Sequence, residues 1–347
     1  MGVGISTHEM EQAARRRSKT IDDGLEAERL RQARTVRVLM LGLQGAGKST
    51  LAKQVRMIHE KGFPDKEKAL YREIVRQNVV SAVLGVLQEM EAQEVAFDTD
   101  QMQQTCLAIK ERLTSADSHL AVVDMRHQVS MLTSQKLFRD FMDDRMDPEV
   151  SQINHYLFRS LDKILSDAYA PSDYDILRVR QKTAGLNEIL FHFKGFEFRL
   201  CDVDGHSSVK KKWLQNFENV SAILFTASLG TYDIRSKENE EQTEIHDALR
   251  VFTTVTGHDG FLRTPIILFL NKKDIFQLKL KKTPLTTAFP DYKGKNEFQE
   301  VCQFVQRKFE SCVTNPDRLT VHFTNATDTA AIRSVFDSSL AVILEST

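Results

Sequence analysis

The chain has 347 residues, of which 41% are hydrophobic and 27% are charged, and its formal net charge is -1. These values are typical of a globular protein with one large or two ordinary domains, and they give no reason to expect a nucleic acid partner. Four scattered cysteines without a C-x-x-C pair predict reduced thiols in a cytosolic protein rather than a metal site or disulfide framework. We expect neither a secretory signal nor a membrane span, because no apolar run approaches roughly 18 residues.

The first residues carry a possible lipidation signal. Met1 to Ser6 fits the pattern M-G-x-x-x-[ST], which predicts myristoylation of Gly2, with an unmodified tail as the alternative. One myristoyl chain holds a protein to a bilayer only marginally, so a second contact would be needed. The polar segment from His8 to Arg34 is rich in helix formers and includes the basic run Arg15–Arg17. Its charged face is either solvated or turned towards lipid or a partner.

A glycine-rich stretch follows the first predicted strand. Val36 to Leu41 is an apolar run typical of a buried strand, and Leu51 to His59 has the apolar spacing of a helix. The stretch between them fits G-x-x-x-x-G-K-[ST] and comprises Gly42, Leu43, Gln44, Gly45, Ala46, Gly47, Lys48, Ser49 and Thr50. This context favours a phosphate-binding loop over a chance glycine-rich turn. We expect backbone N–H groups to converge on phosphate oxygens, Lys48 to reach the β- and γ-phosphates, and Ser49 to ligate Mg²⁺.

The next segment has a different composition. Gly62–Pro64 breaks the helical pattern, and from about Asp65 to Tyr174 apolar residues recur at spacings of three and four with hardly any strand-like alternation. The sequence therefore predicts a second, all-helical domain inserted at residues 64–174.

The α/β pattern resumes after this insertion. Ile189–Phe193 and Phe196–Cys201 read as a hairpin, while Ala222–Phe225 and Ile266–Leu270 are short apolar runs typical of buried parallel strands. Leu319–Phe323 is the last predicted strand before a closing helix. We predict an α/β fold with a doubly wound, mostly parallel six-stranded sheet and an inserted all-helical domain. Ligands should bind at the carboxyl ends of the strands.

Polar signatures follow three of these strands. Asp202 to Gly205 follows the third strand, where Asp202 can hold Mg²⁺ through water and the Gly205 N–H can meet a γ-phosphate. Asn271 and Asp274 follow the fifth, and the Asp274 carboxylate can accept both N1–H and N2–H₂ of guanine, which adenine does not offer. A backbone N–H near Ala326, after the sixth strand, can reach guanine O6. Together they predict a guanine nucleotide; the alternative, an ATP-using P-loop enzyme, finds no support in Asp274 or the inserted helices.

At these residues the chain resembles the α subunits of heterotrimeric G proteins, over nearly its whole length. The most diagnostic stretches are Asp175–Gly185, Lys211–Trp213, Ile267–Asp274, Phe289–Tyr292 and Ala326–Thr329. The resemblance implies GTP or GDP with Mg²⁺ as cofactors and Arg180 as a built-in arginine finger. It implies that Thr183 is a second Mg²⁺ ligand, that Lys272 flanks the base, and that Leu177 and Arg178 belong to the nucleotide-binding residues.

The same resemblance implies an organisation and partners. It places a GTPase domain at residues 35–63 and 175–347, and a membrane- and βγ-facing helix at residues 1–34. The implied partners are a G-protein βγ dimer, a G-protein-coupled receptor and an effector. The implied location is the cytoplasmic face of the plasma membrane, held there by the lipid on Gly2.

Departures from the family pattern fall where hydrolysis is controlled. The third residue of the phosphate loop is Gln44 instead of glycine, and D-V-G-G-Q is replaced by a stretch with Asp204 and His206. Asp204 brings negative charge near the γ-phosphate, a repulsion of up to a few kcal/mol at about 4 Å and an effective dielectric near 20. The family's helical-domain contact L-N-D-S aligns with Val150–Ile153. The sequence ends at Thr347, short of the family's receptor-binding tail, which weakens the expectation of receptor coupling.

Two hypotheses follow from these features. In the first, the chain is a slow GTPase switch whose catalytic residues are Arg180, His206 and Lys48. In the second, it is a guanine-nucleotide-binding signalling module that hydrolyses little or nothing. Retained family residues favour the first hypothesis: Lys48, Ser49, Arg180, Thr183, Gly205 and Asp274. The replacements at Gln44, Asp204 and His206, with the short tail, favour the second.

Overall fold

The computed structural model describes residues 16–19, 22–26, 29, 31–114, 117–181, 186–203 and 220–346. The strands are β1 (Thr35–Gly42), β2 (Leu186–Phe193), β3 (Phe196–Val203), β4 (Ala222–Ser228), β5 (Ile266–Asn271) and β6 (Leu319–Phe323). Helices α1 to α9 are Lys48–His59, Asp65–Ala92, Asp100–Leu113, Ser118–Asp124, Arg126–Ser134, Lys136–Arg145, Pro148–Arg159, Leu161–Ile164 and Asp173–Arg178. Helices α10 to α13 are Glu244–Thr256, Lys273–Lys279, Phe298–Glu310 and Thr329–Ser346. Short 3₁₀ helices lie at Asp259–Phe261, Leu285–Thr287 and Pro316–Arg318.

The six strands form one sheet in the order β2-β3-β1-β4-β5-β6. Strand β2 runs antiparallel to β3, and every other neighbouring pair is parallel. The predicted fold class is therefore confirmed. The crossovers place the carboxyl ends of β1, β3 and β5 along one edge of the sheet, and this is where the predicted polar residues fall.

Both faces of the sheet are covered by helices, as the alternation along β1 requires. Leu39 and Leu41 pack into one core with residues of α10 and α12, while Val38 and Met40 pack into a second core with residues of α1 and α13. All four side chains are nearly inaccessible to solvent. Because successive side chains of a strand point to opposite faces, a nearly continuous apolar run such as this one is expected for a central parallel strand.

The helices between β1 and β2 bury a third core of their own. It is built on α2, whose valines at positions 75, 79, 83 and 86 are at most 1% exposed, and it includes Leu132, Phe138 and Ile164 from later helices. A helix of 28 residues buries one face against several shorter ones, so this block has its own hydrophobic interior. Its predicted boundaries, residues 64 and 174, stay a prediction.

Two chain crossings join this block to the sheet, and polar contacts hold them side by side. Arg56 of α1 forms two hydrogen bonds with the Glu67 carboxylate of α2, at 2.6 and 2.7 Å. This guanidinium holds the pKa of Glu67 below its ordinary value. Gly62 has φ 85°, and a Cβ there would lie 2.6 Å from an Asp173 carboxylate oxygen of the second crossing. Lys68 pairs with the same carboxylate at 2.9 Å, so the first and second crossings are fixed together.

The observed elements differ from the predicted ones mainly at their ends. Asp202 and Asn271 lie inside β3 and β5 rather than after them, because strand pairing continues through both residues. The end of α13 is Ser346, and residues 16–19, 22–26 and 31–33 in the N-terminal segment are helical. Within the described ranges, none of the helices combines the length and the apolar composition that a membrane crossing needs.

Candidate nucleotide-binding site

A cleft of about 1620 Å³ opens at the carboxyl edge of the sheet, between the sheet and the inserted helices. Its walls include most of the sequence-predicted binding residues: Leu43, Gln44, Gly45, Gly47, Lys48, Ser49, Thr50, Leu177, Arg178, Arg180, Asp202, Asn271, Lys272, Asp274 and Ala326. The predicted residues Gly42 and Ala46 lie beneath this surface, where they contribute backbone carbonyls. Segments from five separate parts of the chain thus meet in one place.

The loop between β1 and α1 has the backbone that only glycine adopts readily. Gly45 has φ 77° and Gly47 has φ 105°, both in the left-handed region. A Cβ at Gly47 would overlap the Asn271 side-chain amide, whereas one at Gly45 would meet nothing within 4 Å. Gly47 is therefore required both for the turn and for the close approach of the loop to β5.

Lys48 begins α1 and is 6% exposed. Its ammonium group donates hydrogen bonds to the carbonyl oxygens of Gly42 (3.0 Å) and Leu43 (3.1 Å), at either side of the β1 terminus. These bonds hold the cation under the loop, next to the amino end of α1 with its partial positive charge. The arrangement favours an anion above the loop.

Ser49 and Asp202 supply oxygen atoms at one point of the cleft floor. The Ser49 hydroxyl lies 3.4 Å from a carboxylate oxygen of Asp202, which is 2% exposed at the end of β3. A hydroxyl and a buried carboxylate beside a phosphate-binding loop suit a hard cation such as Mg²⁺. The predicted second ligand, Thr183, lies outside the described residues.

Asn271 ties the phosphate loop to the loop after β6. Its amide nitrogen donates to the Ala46 carbonyl at 2.9 Å, and its amide oxygen accepts from the Ala326 backbone N–H at 3.0 Å and the Thr324 hydroxyl at 3.1 Å. Gln54 of α1, fully buried, donates to the Ala326 carbonyl at 2.8 Å. The predicted binding residue Asn271 is thus the hydrogen-bonding centre of the site, at 1% exposure.

The base end of the cleft begins directly after β5. Lys272 adopts the left-handed conformation with φ 62°, and Asp274 lies in the first turn of α11, on the cleft wall. A left-handed residue bends the chain sharply between the strand and the helix, so α11 begins directly at the edge of the cleft. Asp274 and Ala326 both line the cleft, and their role in binding a base stays a prediction.

The inserted helices hold Arg180 from two sides. Its backbone N–H donates to the Asn78 side chain at 2.9 Å and its carbonyl accepts from the same side chain at 3.1 Å, which fixes the residue to α2. Its guanidinium lies 3.1 Å from Glu149, and the other oxygen of that carboxylate accepts from Lys272 at 2.7 Å. The Arg180 side chain is 56% exposed, so this end of the cleft is open to water.

Lys53 connects α1 with the segment that precedes Arg180. Its ammonium donates to the carbonyl oxygens of Ile176 (2.9 Å) and Val179 (3.0 Å). Burial lowers the pKa of Lys53 to about 8, since the two carbonyls replace only part of the lost hydration. Leu177 and Arg178, from the same segment, line the cleft.

Sequence reasoning did not single out Glu149, and the alignment of L-N-D-S with Val150–Ile153 stays a prediction. Gln152 and Ile153 of the predicted stretch do line the cleft, but the ion pairs come from Glu149. A signal existed: Asp147-Pro148-Glu149 is an N-cap residue, a proline at the first helical position and an acidic residue in the first turn. This pattern predicts a helix start that presents negative charge. It does not reveal which cations it meets.

Several predicted residues lie outside the described residues: Gly2, Thr183, Gly185, Asp204, Gly205 and His206. The stretch Lys211–Trp213, used for the resemblance, lies outside them too. The roles predicted for these residues stay predictions.

A comparison with known protein families gives a match that covers most of this chain. The family described as G-protein alpha subunit matches residues 15–343, which is nearly the whole sequence and includes every segment of the cleft.

Proposed function

The chain belongs to the G-protein alpha subunit family, whose members bind guanine nucleotides, and we propose that it is a GTP/GDP switch that hydrolyses GTP slowly. The observation that carries the proposal is the Asn271 side chain, which joins the phosphate loop to the loop after β6. A triphosphate over Lys48 would therefore extend towards Asp274 within one cleft. The two halves of the ligand are recognised by loops that are fixed to each other.

The proposed base is guanine because of the carboxylate at Asp274. It can accept two hydrogen bonds from N1–H and N2–H₂ of guanine, while adenine offers no such pair and would leave the carboxylate without partners. The backbone N–H of Ala326 donates to Asn271 at 3.0 Å, so the predicted contact with guanine O6 would share this donor.

Ser49, Asp202 and Thr183 are the residues that would hold Mg²⁺. Bound there, the ion would neutralise charge that develops on the β- and γ-phosphate oxygens. Lys48 contributes a fixed positive charge at the same point, and its two carbonyl partners keep it oriented before the ligand arrives.

The proposed reaction is attack of water on the γ-phosphate, with Arg180 stabilising the charge of the transition state. His206 would orient the water less well than the family's glutamine. Gln44 lines the cleft at the phosphate loop, where a glycine would leave room for water and arginine to meet. These features support slow turnover, at or below a rate on the order of 10⁻² s⁻¹, which is typical of GTPases with a built-in arginine.

The second candidate function is a binding module with little or no hydrolysis. The observation that favours it is the pairing of Arg180 with Glu149, which directs the guanidinium to the helical block. The replacements at Gln44, Asp204 and His206 point the same way.

The proposed partners are a βγ dimer, a receptor, an effector and the inner surface of the plasma membrane. Support comes from the family match and from the predicted myristoylation of Gly2. A basic helical segment near Arg16 and Arg17 would supply the second membrane contact that one acyl chain needs.

The experiment is to measure the nucleotide that copurifies with the chain and the single-turnover hydrolysis of bound GTP in the presence of Mg²⁺. We expect about one guanine nucleotide per chain and slow but measurable release of phosphate. Adenine nucleotide in the site, or none of either kind with no affinity for added GDP, would overturn the proposal. Binding without any phosphate release would select the second candidate.

A further inference from the structure

Two carboxylates at the start of α7 reach from the inserted helices to cations of the sheet domain. Asp147 caps the helix by accepting from the Glu149 backbone N–H at 2.9 Å, and its carboxylate lies 2.5 Å from the Lys279 ammonium. Glu149, in the first turn, pairs with Lys272 at 2.7 Å and with Arg180 at 3.1 Å. The two acidic residues have different targets: Asp147 contacts α11 away from the phosphates, while Glu149 reaches into the cleft.

One of the two cations that Glu149 binds, Arg180, is the one that the proposed reaction needs. The Arg180 backbone is anchored to α2 through Asn78, so the remaining freedom of the residue lies in its side chain. That side chain points its guanidinium at Glu149. For Nη2 to donate to phosphates over Lys48 in the proposed reaction, it would have to release this carboxylate.

We propose that Glu149 is a positioning residue that withholds Arg180 from the phosphate end of the cleft, so that GTP hydrolysis requires the Glu149–Arg180 pair to open. The inference rests on the proposed function, because it concerns the same cleft and the same reaction. It adds a residue of the inserted helices, acting through Arg180, to the residues that set the hydrolysis rate.

The charges explain why Glu149 competes with the γ-phosphate for the Arg180 guanidinium. A carboxylate and a γ-phosphate offer a guanidinium the same kind of charge-assisted hydrogen bonds, so each guanidinium contact with Glu149 is one withheld from the phosphate. Arg180 is more than half exposed and Glu149 is 22% exposed, which keeps the pair weak enough to open. Pairs of this kind shift an equilibrium by about two- to fivefold, and this sets the expected effect.

Lys272 makes Glu149 a link between Arg180 and the residues predicted to bind the base. The Lys272 side chain is 15% exposed, and its ammonium group bonds to the second oxygen of the same carboxylate. Loss of the negative charge would therefore loosen the inserted helices over the base as well as free Arg180. For this reason nucleotide release alone does not distinguish a positioning role from a structural one.

The experiment compares Glu149→Gln with Asp147→Asn in the full chain preloaded with GTP, with hydrolysis started by Mg²⁺ in a single turnover. Glutamine keeps the size of the side chain and removes its charge. Asp147→Asn removes a charge from the same helix end without touching Arg180, and Lys279 keeps its second partner, Asp233, at 2.8 Å. We expect Glu149→Gln to hydrolyse GTP about three- to fivefold faster than wild type, and Asp147→Asn to match wild type.

A double substitution separates positioning from structure. In an Arg180→Ala background, Glu149→Gln should leave the single-turnover rate unchanged, because the residue it releases is gone. Equal hydrolysis by wild type and Glu149→Gln, including no measurable hydrolysis in either, would overturn the inference. An equal gain with and without Arg180 would overturn it too. A wild-type chain without guanine nucleotide affinity would overturn the proposed function along with it.

Discussion

The two ends of the cleft are held in different ways. At the phosphate and base end, Lys48 and Asn271 are at most 6% exposed and bond to backbone groups of the sheet domain itself. At the other end, Arg180 is 56% exposed and takes its contacts from Asn78 and Glu149, which belong to the inserted helices. The residues predicted to bind the nucleotide are thus held by contacts within the sheet domain. The position of the arginine depends instead on how the inserted helices pack against that domain.

This difference separates binding from turnover. Buried, mutually satisfied polar groups specify one arrangement, because an alternative would leave donors or acceptors unpaired. An exposed ion pair between two blocks can exchange partners at little cost. We therefore expect substitutions at the buried end to abolish or weaken binding, and substitutions at the exposed end to change the hydrolysis rate with smaller effects on affinity.

The largest effect on nucleotide affinity should come from replacing Gly47 of the phosphate loop by alanine. Gly47→Ala places a side chain at a position with φ 105°, and its Cβ would overlap the Asn271 amide. We therefore expect the affinity for GDP to fall by about 100-fold or more. Gly45→Ala is the matched control, with φ 77° and open space around the Cβ, and should lose no more than about tenfold. Titration with a fluorescent GDP analogue measures both. Equal losses would show that backbone strain alone, not contact with Asn271, governs the loop.

Asp274→Asn should have the next largest effect. Guanine would lose its two-acceptor partner, so we expect its affinity to fall by about 10- to 100-fold, while xanthine nucleotides gain because their base can accept where guanine donates. Competition of GDP and xanthosine diphosphate for one fluorescent probe gives both values. Unaltered guanine affinity would refute the base assignment at this end of the cleft.

The combined change Gln44→Gly and His206→Gln should act on turnover only. It restores space and a water-orienting amide near the γ-phosphate, and we expect single-turnover hydrolysis to rise by about tenfold or more. GDP affinity should change by less than about threefold, because neither side chain is part of the Asn271 network. A rate equal to that of wild type would show that these positions do not limit hydrolysis.

Lys53 connects α1 with the segment that precedes Arg180. Its substitution should have the smallest effect, a change in how the free energy of unfolding depends on pH. Its pKa is near 8 in the fold against an ordinary 10.5, so between these values the unfolded chain binds more protons than the folded one. The free energy of unfolding should therefore gain about 1 to 2 kcal/mol from this group as the pH rises from about 8 to about 9.5. Urea titrations of wild type and Lys53→Met measure the free energy of unfolding of each. The value for wild type minus the value for the variant should increase over this interval. A constant difference would contradict the lowered pKa.

Local patterns account for what the sequence could predict. The phosphate loop follows from glycine positions between a strand and a helix, and the positions of Asp202, Asp274 and Ala326 follow from the rule that parallel strands end at one edge. The hydrogen bond from Asn271 to Ala46 spans 225 residues and depends on how those strands pack. Glu149 was missed for the same reason, because its partners are chosen by the seating of one block on another. Only the acidic start of α7 could be predicted from the sequence.

The account depends on a cleft that takes a guanine nucleotide and rejects adenine. The direct test is equilibrium binding of a fluorescent GDP analogue to the purified chain with Mg²⁺, followed by competition with GTP and with ATP. We predict saturable binding that GTP displaces fully, and that ATP fails to displace at about 100-fold higher concentration. Absence of binding, or equal displacement by ATP, would contradict it.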